Sequence, residues 1–179
     1  IPDEARTPGA IHGKDYLASM GIYIFNAEAM EESLNNSLTD FGKEIIPEAI
    51  KNYNVAAYVY DGYWEDIGTI RSFYDATLDL TSITPKFNFY DEMTPIYTHN
   101  RNLPSSKINM ATLDQVNASE GCVITNATIK RSVIGIRSII ESGAYMEGVI
   151  CMGADYYETD TEKEDNRKKN IPNIGIGDR

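Results

Sequence analysis

An aromatic residue and two carboxylates stand side by side in GYWEDIGTIR, residues 62–71. Trp64, the only tryptophan of the chain, is followed directly by Glu65 and Asp66, with a glycine on each side of the group. Mg²⁺ usually takes one or two carboxylates together with substrate phosphate oxygens. Ligands of open α/β sheets bind just beyond strand ends, where this segment is expected to lie. From spacing alone two interpretations of Asp66 stay open, a metal ligand and a cap of the next helix.

The elements that must position these residues alternate between strand and helix patterns. YLASMGIYIF at 16–25 and VAAYVYDG at 55–62 are rich in aromatic and β-branched residues, which predicts strands. Helical patterns lie between and after them, at 26–36, at 39–54 and from Thr69 to before Pro85. Their predicted caps are Asn26, Asp40 and Thr69. This order predicts a layered α/β domain with few strands of its own.

The last third of the chain has a period of six. Six of the seven residues taken at this spacing are apolar: Val116, Cys122, Thr128, Ile134, Ile140, Met146 and Met152. A hexapeptide period is typical of a β-helix, in which each repeat turns one side chain inward. The period ends at a charged stretch, residues 158–170, and is expected to restart at 174–177. Between the two patterned regions, an aromatic and proline-containing segment predicts a crossing linker.

Composition excludes several classes of protein. The chain has 27 acidic and 16 basic residues, a formal net charge of −11, which argues against a nucleic-acid-binding surface. No apolar run is long enough to span a membrane. Cys122 and Cys151 form no CxxC motif, so we expect reduced thiols and a cytoplasmic protein. A cluster such as Arg101 and Lys107, beside two prolines, can still bind an anionic effector; the alternative is that both are surface cations without a partner.

Several segments together resemble glucose-1-phosphate adenylyltransferase (ADP-glucose pyrophosphorylase). They are YLASMGIYIF, DFGKEIIPEAI, GYWEDIGTIRSFYDA, FYDEMTPIYT, RNLPSSK, SVIGIRS and MGADYYET, in this order from about Tyr16 to Gly177. Related sugar nucleotidyltransferases have similar WxDIGT segments, whereas MGADYYET next to a hexapeptide repeat is more particular to this family. The resemblance implies a partial Rossmann-like α/β nucleotidyltransferase domain over 1–90, a crossing linker over 91–107 and a truncated left-handed β-helix over 108–179.

The family makes ADP-glucose and pyrophosphate from ATP and glucose-1-phosphate for glycogen or starch synthesis. Its glycine-rich ATP loop, first metal-binding aspartate and EKP lysine would precede Ile1. The resemblance therefore implies that this chain carries the sugar-phosphate side of an Mg²⁺-dependent site and is inactive alone. It also implies a homotetramer, in the complete protein, that is regulated by an anionic metabolite.

Individual residues take roles from the same resemblance. Asp66 becomes the catalytic metal carboxylate, and Ser19 a hydrogen-bonding partner of glucose-1-phosphate. Glu65 and Trp64 are expected to border the sugar, with a paired surface acid and a packing aromatic as their plainer alternatives. Arg101 is expected near an anion site at the domain junction, with Lys107 as a second effector-binding cation.

The alternative functions are a hexapeptide acyltransferase, a regulatory subunit and a related nucleotidyltransferase. A hexapeptide acyltransferase generally uses a histidine on its β-helix as general base, but no histidine lies within 103–179. A non-catalytic regulatory subunit of the same assembly would have no need to retain Asp66. A related nucleotidyltransferase that uses another base or sugar stays possible, because the residues that read the base are expected to precede Ile1.

Overall fold

A computed structural model describes the backbone at residues 6–11, 14–16 and 18–177 and the side chains at 18–177. The chain divides into two compact units, Ile1–Asp61 and Gly62–Arg179. No helix within the described residues is long and apolar enough to cross a membrane.

The first unit contains a strand pair and two short helices. Strands β1 (Arg6–Ile11) and β2 (Lys14–Tyr16) pair antiparallel. Helix α1 spans Ala27–Leu34. A π-helical turn over Phe41–Ile45 leads directly into helix α2, Ile46–Asn52.

The predicted cap at Asp40 is confirmed. Its side chain accepts the Lys43 N–H at 2.8 Å, and the Glu44 carboxylate in turn accepts the N–H groups of Thr39 and Asp40, both at 3.0 Å. Both backbone hydrogen bonds lower the pKa of the Glu44 carboxyl, and the bond from Thr39 has the larger effect. Asn26 also occupies the predicted N-cap position of α1, but its side chain makes no capping hydrogen bond. Side-chain contacts over three to five residues therefore set where the π-helical turn before α2 begins.

The prediction that two segments of this unit, 16–25 and 55–62, form strands is wrong. Of the segment predicted at 16–25, only Tyr16 is in a strand, Leu17 lies outside the described residues, and 18–25 form none. Residues 55–62 are also not in a strand, and side chains in both segments are exposed, Ile24 to 99% and Tyr58 to 87%. A strand exists only through a hydrogen-bonded neighbour, and the described residues provide no such neighbour for either segment.

The second unit is built around a parallel β-helix with three faces. Strands β3 (Lys107–Asn109), β5 (Val123–Thr125) and β7 (Ile139–Ile140) stack on one face. The other strands form the remaining faces; they are β4 (Thr112–Ala118), β6 (Thr128–Ile134), β8 (Tyr145–Glu147) and β9 (Ile150–Cys151). The first part of β6 pairs with β8 and its last part with β9, so β6 bends from one face to the next.

Each corner of the β-helix is formed by a residue with positive φ. Three columns of such residues run up the coils: Met110, Asn126 and Gly143; Gln115, Arg131 and Gly148; Gly121, Arg137 and Gly153. Lys107 pairs with Val123 and Thr128 with Tyr145, so one coil takes 16 or 17 residues. Successive corners are consequently five or six residues apart rather than always six.

The residue after each corner except the last, Gly153, is small or β-branched and turns inward. These residues are Ala111, Val116, Cys122, Ala127, Ser132, Ser138, Ala144 and Val149. Larger side chains fill the remaining space, with Ile124, Ile129 and Ile134 fully buried. The prediction that Met152 points inward is wrong, because its side chain is 76% exposed. A strict period of six loses register with the inward positions wherever two corners are only five residues apart.

The predicted restart of the β-helix is confirmed at Ile176, which forms a parallel bridge with Ile140. Between the two coils the chain leaves the stack as helix α4, Asp160–Lys168. Thr159 and Glu162 cap this helix reciprocally. The two carboxylate oxygens of Glu158 accept hydrogen bonds from Asn166 Nδ2 and from the Ile174 N–H. The charged stretch is therefore an insertion between two coils, after which the chain returns to the face formed by β3, β5 and β7.

One helix from the nucleotidyltransferase-like region also belongs to this unit. Helix α3 spans Ile70–Asp79 and packs against β6 and β9. Its start at Thr69 agrees with the sequence prediction. The segment from 80 to 106 contains no helix or strand and leads to β3.

The inward isoleucines should dominate the stability of the β-helix. Ile129→Ala removes a fully buried side chain from the middle coil and should lower the free energy of unfolding by about 2–5 kcal/mol. Ile108→Ala, at a position 47% exposed in the first coil, is the matched control and should cost about 1 kcal/mol. Urea unfolding measures both, and equal losses would contradict the assignment of the core.

Candidate functional site

The site predicted around Asp66 is an exposed loop in front of helix α3, the WEDIGT loop (residues 64–69). Trp64 is 46% exposed, and Glu65 and Asp66 are exposed as well. Asp66 Oδ1 accepts the Gly68 N–H at 3.2 Å, closing a tight turn. Glycine suits this position, because a Cβ there would lie 3.3 Å from the same oxygen. The loop thus presents an indole and two carboxylates to solvent from a hydrogen-bonded turn.

Thr69 rather than Asp66 caps helix α3. The Ser72 N–H donates to Thr69 Oγ1 and the Thr69 N–H donates to Ser72 Oγ, each at 3.1 Å. The cation that follows the loop, Arg71, pairs with Asp75 at 2.5 Å, and this hydrogen bond raises the pKa of Arg71. The alternative in which Asp66 serves as the helix cap is therefore removed, and its carboxylate closes only its own turn.

Asp66 fits a shared Mg²⁺ site better than a site made by protein alone. Within the described residues no group of three or more His, Cys, Asp or Glu side chains is arranged to hold a metal ion. Mg²⁺ keeps waters and substrate phosphate oxygens around one or two carboxylates, so a single exposed aspartate suits it. Asp66 and its neighbour Glu65 are the acids that this loop offers.

Ser19 lies in the first unit. Its hydroxyl accepts the Gly21 N–H at 3.1 Å and shares a hydrogen bond with the Tyr23 hydroxyl at 3.0 Å. Gly21 has φ of +72°, so glycine is required by the turn itself, and a Cβ there would meet no atom within 4 Å. The strand predicted at 16–25 would place this glycine in a strand interior. The structure instead places it in a bend next to an exposed serine hydroxyl.

The two predicted effector cations lie on the approach to the β-helix. Arg101 is exposed in the segment before β3, and Lys107 is the exposed first residue of β3. The backbone of Lys107 is fixed by its N–H, which donates to the Cys122 carbonyl at 2.8 Å. Their role in binding an anion stays a prediction.

An open hollow of about 500 Å³ lies where the linker passes the first coil. Phe87, Phe89 and Tyr90 line one side, and Leu113 and Val116 line the other. None of the predicted site residues lines it. The hollow is mainly apolar and lacks the carboxylates and cations that phosphate chemistry needs.

The two cysteines are free and have no catalytic arrangement. Cys122 is buried, as its predicted inward position requires, and its thiol donates to the Gly135 carbonyl at 3.1 Å. Burial raises the pKa of Cys122, so the group remains a thiol and not a nucleophilic thiolate at neutral pH.

Sequence reasoning missed the residues that attach helix α3 to the β-helix. The Tyr74 hydroxyl donates to the Gly148 carbonyl at 2.6 Å, and Asn117 Nδ2 donates to the Leu80 carbonyl at 3.0 Å. No local pattern marks the partners, which are 74 and 37 residues apart in sequence.

Comparison with known families agrees with this arrangement. Residues 2–83 match the family model described as nucleotidyl transferase, so this region is of the nucleotidyltransferase class. Residues 101–179 match the model described as GLGC left-handed parallel beta-helix domain. In this order the two domains form the architecture of the ADP-glucose pyrophosphorylase-like nucleotidyltransferases, which confirms the resemblance found in the sequence.

Removing the cap at Thr69 should loosen the base of the WEDIGT loop. Thr69→Ala deprives the Ser72 N–H of its acceptor and should cost about 1 kcal/mol of unfolding free energy, with faster amide exchange at Ser72. Thr69→Ser retains a hydroxyl and is the matched control. If alanine and serine gave the same exchange rate, the capping hydrogen bond would not be holding the helix start.

Proposed function

We propose that this chain is part of a glucose-1-phosphate adenylyltransferase, which forms ADP-glucose and pyrophosphate from ATP and glucose-1-phosphate. The observation that carries the proposal is the order of the two family matches, a nucleotidyl transferase region followed by the GLGC type of β-helix. The exposed acids of the WEDIGT loop agree with it, because phosphoryl chemistry of this kind depends on Mg²⁺ held between carboxylates and phosphates.

Each predicted residue has a task in this reaction. Asp66 would hold Mg²⁺ together with substrate phosphate oxygens, and the bound ion would neutralise charge that develops on the phosphates. Glu65 and Trp64, adjacent on the same exposed loop, would contact the hydroxyls and the apolar face of the glucose unit. The exposed Ser19 hydroxyl would hydrogen-bond to glucose-1-phosphate. By binding the sugar phosphate, the WEDIGT loop would orient its phosphate oxygen for attack on the α-phosphorus of ATP, with pyrophosphate as the leaving group.

The first unit supports a site completed by protein outside this chain. Its segments 18–25 and 55–62, which form no strand, expose apolar side chains, including Ile22 to 73%, Ile24 to 99% and Tyr58 to 87%. Exposed apolar surface of this kind is typical of regions that contact further protein. We therefore place most ATP contacts in the remainder of a longer protein, and expect activity to require it.

The proposal includes the setting of the enzyme. It would act in the cytoplasm, in glycogen or starch synthesis, as a homotetramer whose activity responds to an anionic metabolite. Arg101 and Lys107 are the cations of this chain proposed to bind that metabolite, since both are exposed next to the β-helix.

Substitution of Asp66 tests the proposed chemistry. In the full-length protein, Asp66→Asn should lower the rate of pyrophosphate release from ATP and glucose-1-phosphate on the order of 100-fold or more, because the amide is a poor Mg²⁺ ligand. Asp155→Asn, at an exposed position on the β-helix, is the matched control and should leave the rate unchanged.

Near-normal turnover of the Asp66 variant would remove that residue from the metal site. A wild-type protein that binds glucose-1-phosphate but releases no pyrophosphate would instead favour a regulatory subunit. Release with another nucleotide or sugar phosphate alone would indicate a related nucleotidyltransferase.

A further inference from the structure

Helix α3 is attached to the β-helix at two points along its length. The Tyr74 hydroxyl donates to the Gly148 carbonyl at 2.6 Å, and the Leu80 carbonyl accepts from Asn117 Nδ2 at 3.0 Å. Six residues of helix rise about 9 Å. Asn117 pairs with Val133, which pairs with Ile150, so the attachment points are two coils apart, also about 9–10 Å at usual strand spacing. The helix therefore runs along the stack of coils, and the distance between its two attachment points equals about two coil spacings.

The attachment at Tyr74 favours a glycine at its partner. Gly148 forms a corner with φ of +62°, and a Cβ there would lie 3.0 Å from the Tyr74 hydroxyl oxygen. Its N–H donates to the Lys130 carbonyl at 3.1 Å in the neighbouring coil. The carbonyl that receives Tyr74 is consequently held by the hydrogen bonding of the β-helix.

Helix α3 and the hydrogen bonds at its start lie between this corner and the WEDIGT loop. Tyr74 lies about one helical turn after the start of α3, where Thr69 and Ser72 cap each other. One residue before Thr69, the Gly68 N–H is bound by Asp66 Oδ1 at 3.2 Å. Local capping sets the shape of the loop, and the Tyr74 hydroxyl joins the helix that follows it to the β-helix.

We propose that Tyr74 is a positioning residue, which orders the WEDIGT loop through helix α3 and so sets the affinity of Asp66 for Mg²⁺. The statement about Mg²⁺ rests on the proposed function; the statement about loop order does not. Tyr74 touches neither metal nor substrate in this arrangement, and it acts through the helix start that carries the loop.

Tyr74→Phe in the full-length protein tests the proposal, because it removes only the hydroxyl. Hydrogen exchange should become faster at the amides of residues 66–69. In pyrophosphate-release assays the Mg²⁺ concentration for half-maximal rate should rise about three- to tenfold, somewhat less than the usual effect of losing a direct outer-shell partner. The KM for ATP should stay unchanged, because ATP is bound mainly by other parts of the protein.

Tyr157→Phe is a matched control. The Tyr157 hydroxyl donates to the Gly121 carbonyl at 2.7 Å, the same type of bond at another corner of the same β-helix. Its loss should shift the unfolding temperature about as much as Tyr74→Phe does. It should leave both the exchange at 66–69 and the Mg²⁺ response at their wild-type values.

The outcomes separate the inference from the proposed function. Faster exchange at 66–69 in Tyr74→Phe alone supports the positioning role, even if the wild-type protein releases no pyrophosphate and the proposed function fails. Unchanged exchange, or equal changes in both variants, overturns it. In an active enzyme, faster exchange with an unaltered Mg²⁺ response overturns the link from loop order to the metal.

Discussion

The parallel hydrogen bonding between coils is the interaction on which the second unit depends. Each coil can pair with the next only if the chain turns sharply three times in 16 or 17 residues, and each turn needs positive φ. Asn126 and the glycines adopt this conformation readily, whereas Gln115, Arg131 and Arg137 do so at about 1–2 kcal/mol each. The ladder and the buried isoleucines offset that cost, so the corners stay in place and can serve as attachment points.

Helix α3 uses one of these corners to join two kinds of structure. Its first turn carries the WEDIGT loop, which holds the acids proposed to work on Mg²⁺ and sugar phosphate, and its side rests on the β-helix. Residues 2–83 match a nucleotidyltransferase model and 101–179 a β-helix model, yet α3 packs with the latter. The boundary between the matched families therefore does not coincide with the boundary between compact units.

How far each element could be predicted followed from the range of its interactions. The caps at Asp40 and Thr69 were predicted because their partners lie three residues away. The β-helix was recognisable because its repeat recurs within a few residues, although the inward positions drifted where corners are five residues apart. The strands at 16–25 and 55–62 were wrong because apolar content predicts a preference to pair, while pairing needs a neighbour that the described residues do not provide.

By itself, the sequence determined the fold class, the architecture of two matched domains and the exposed WEDIGT group as the candidate site, since motifs and caps are encoded locally. Only the tertiary structure decided that Met152 faces outward and that Tyr74 meets Gly148 across 74 residues. The physical reason is that a hydrogen bond between distant residues depends on the stacking of coils, and no local pattern of side chains records which coil lies beneath which helix.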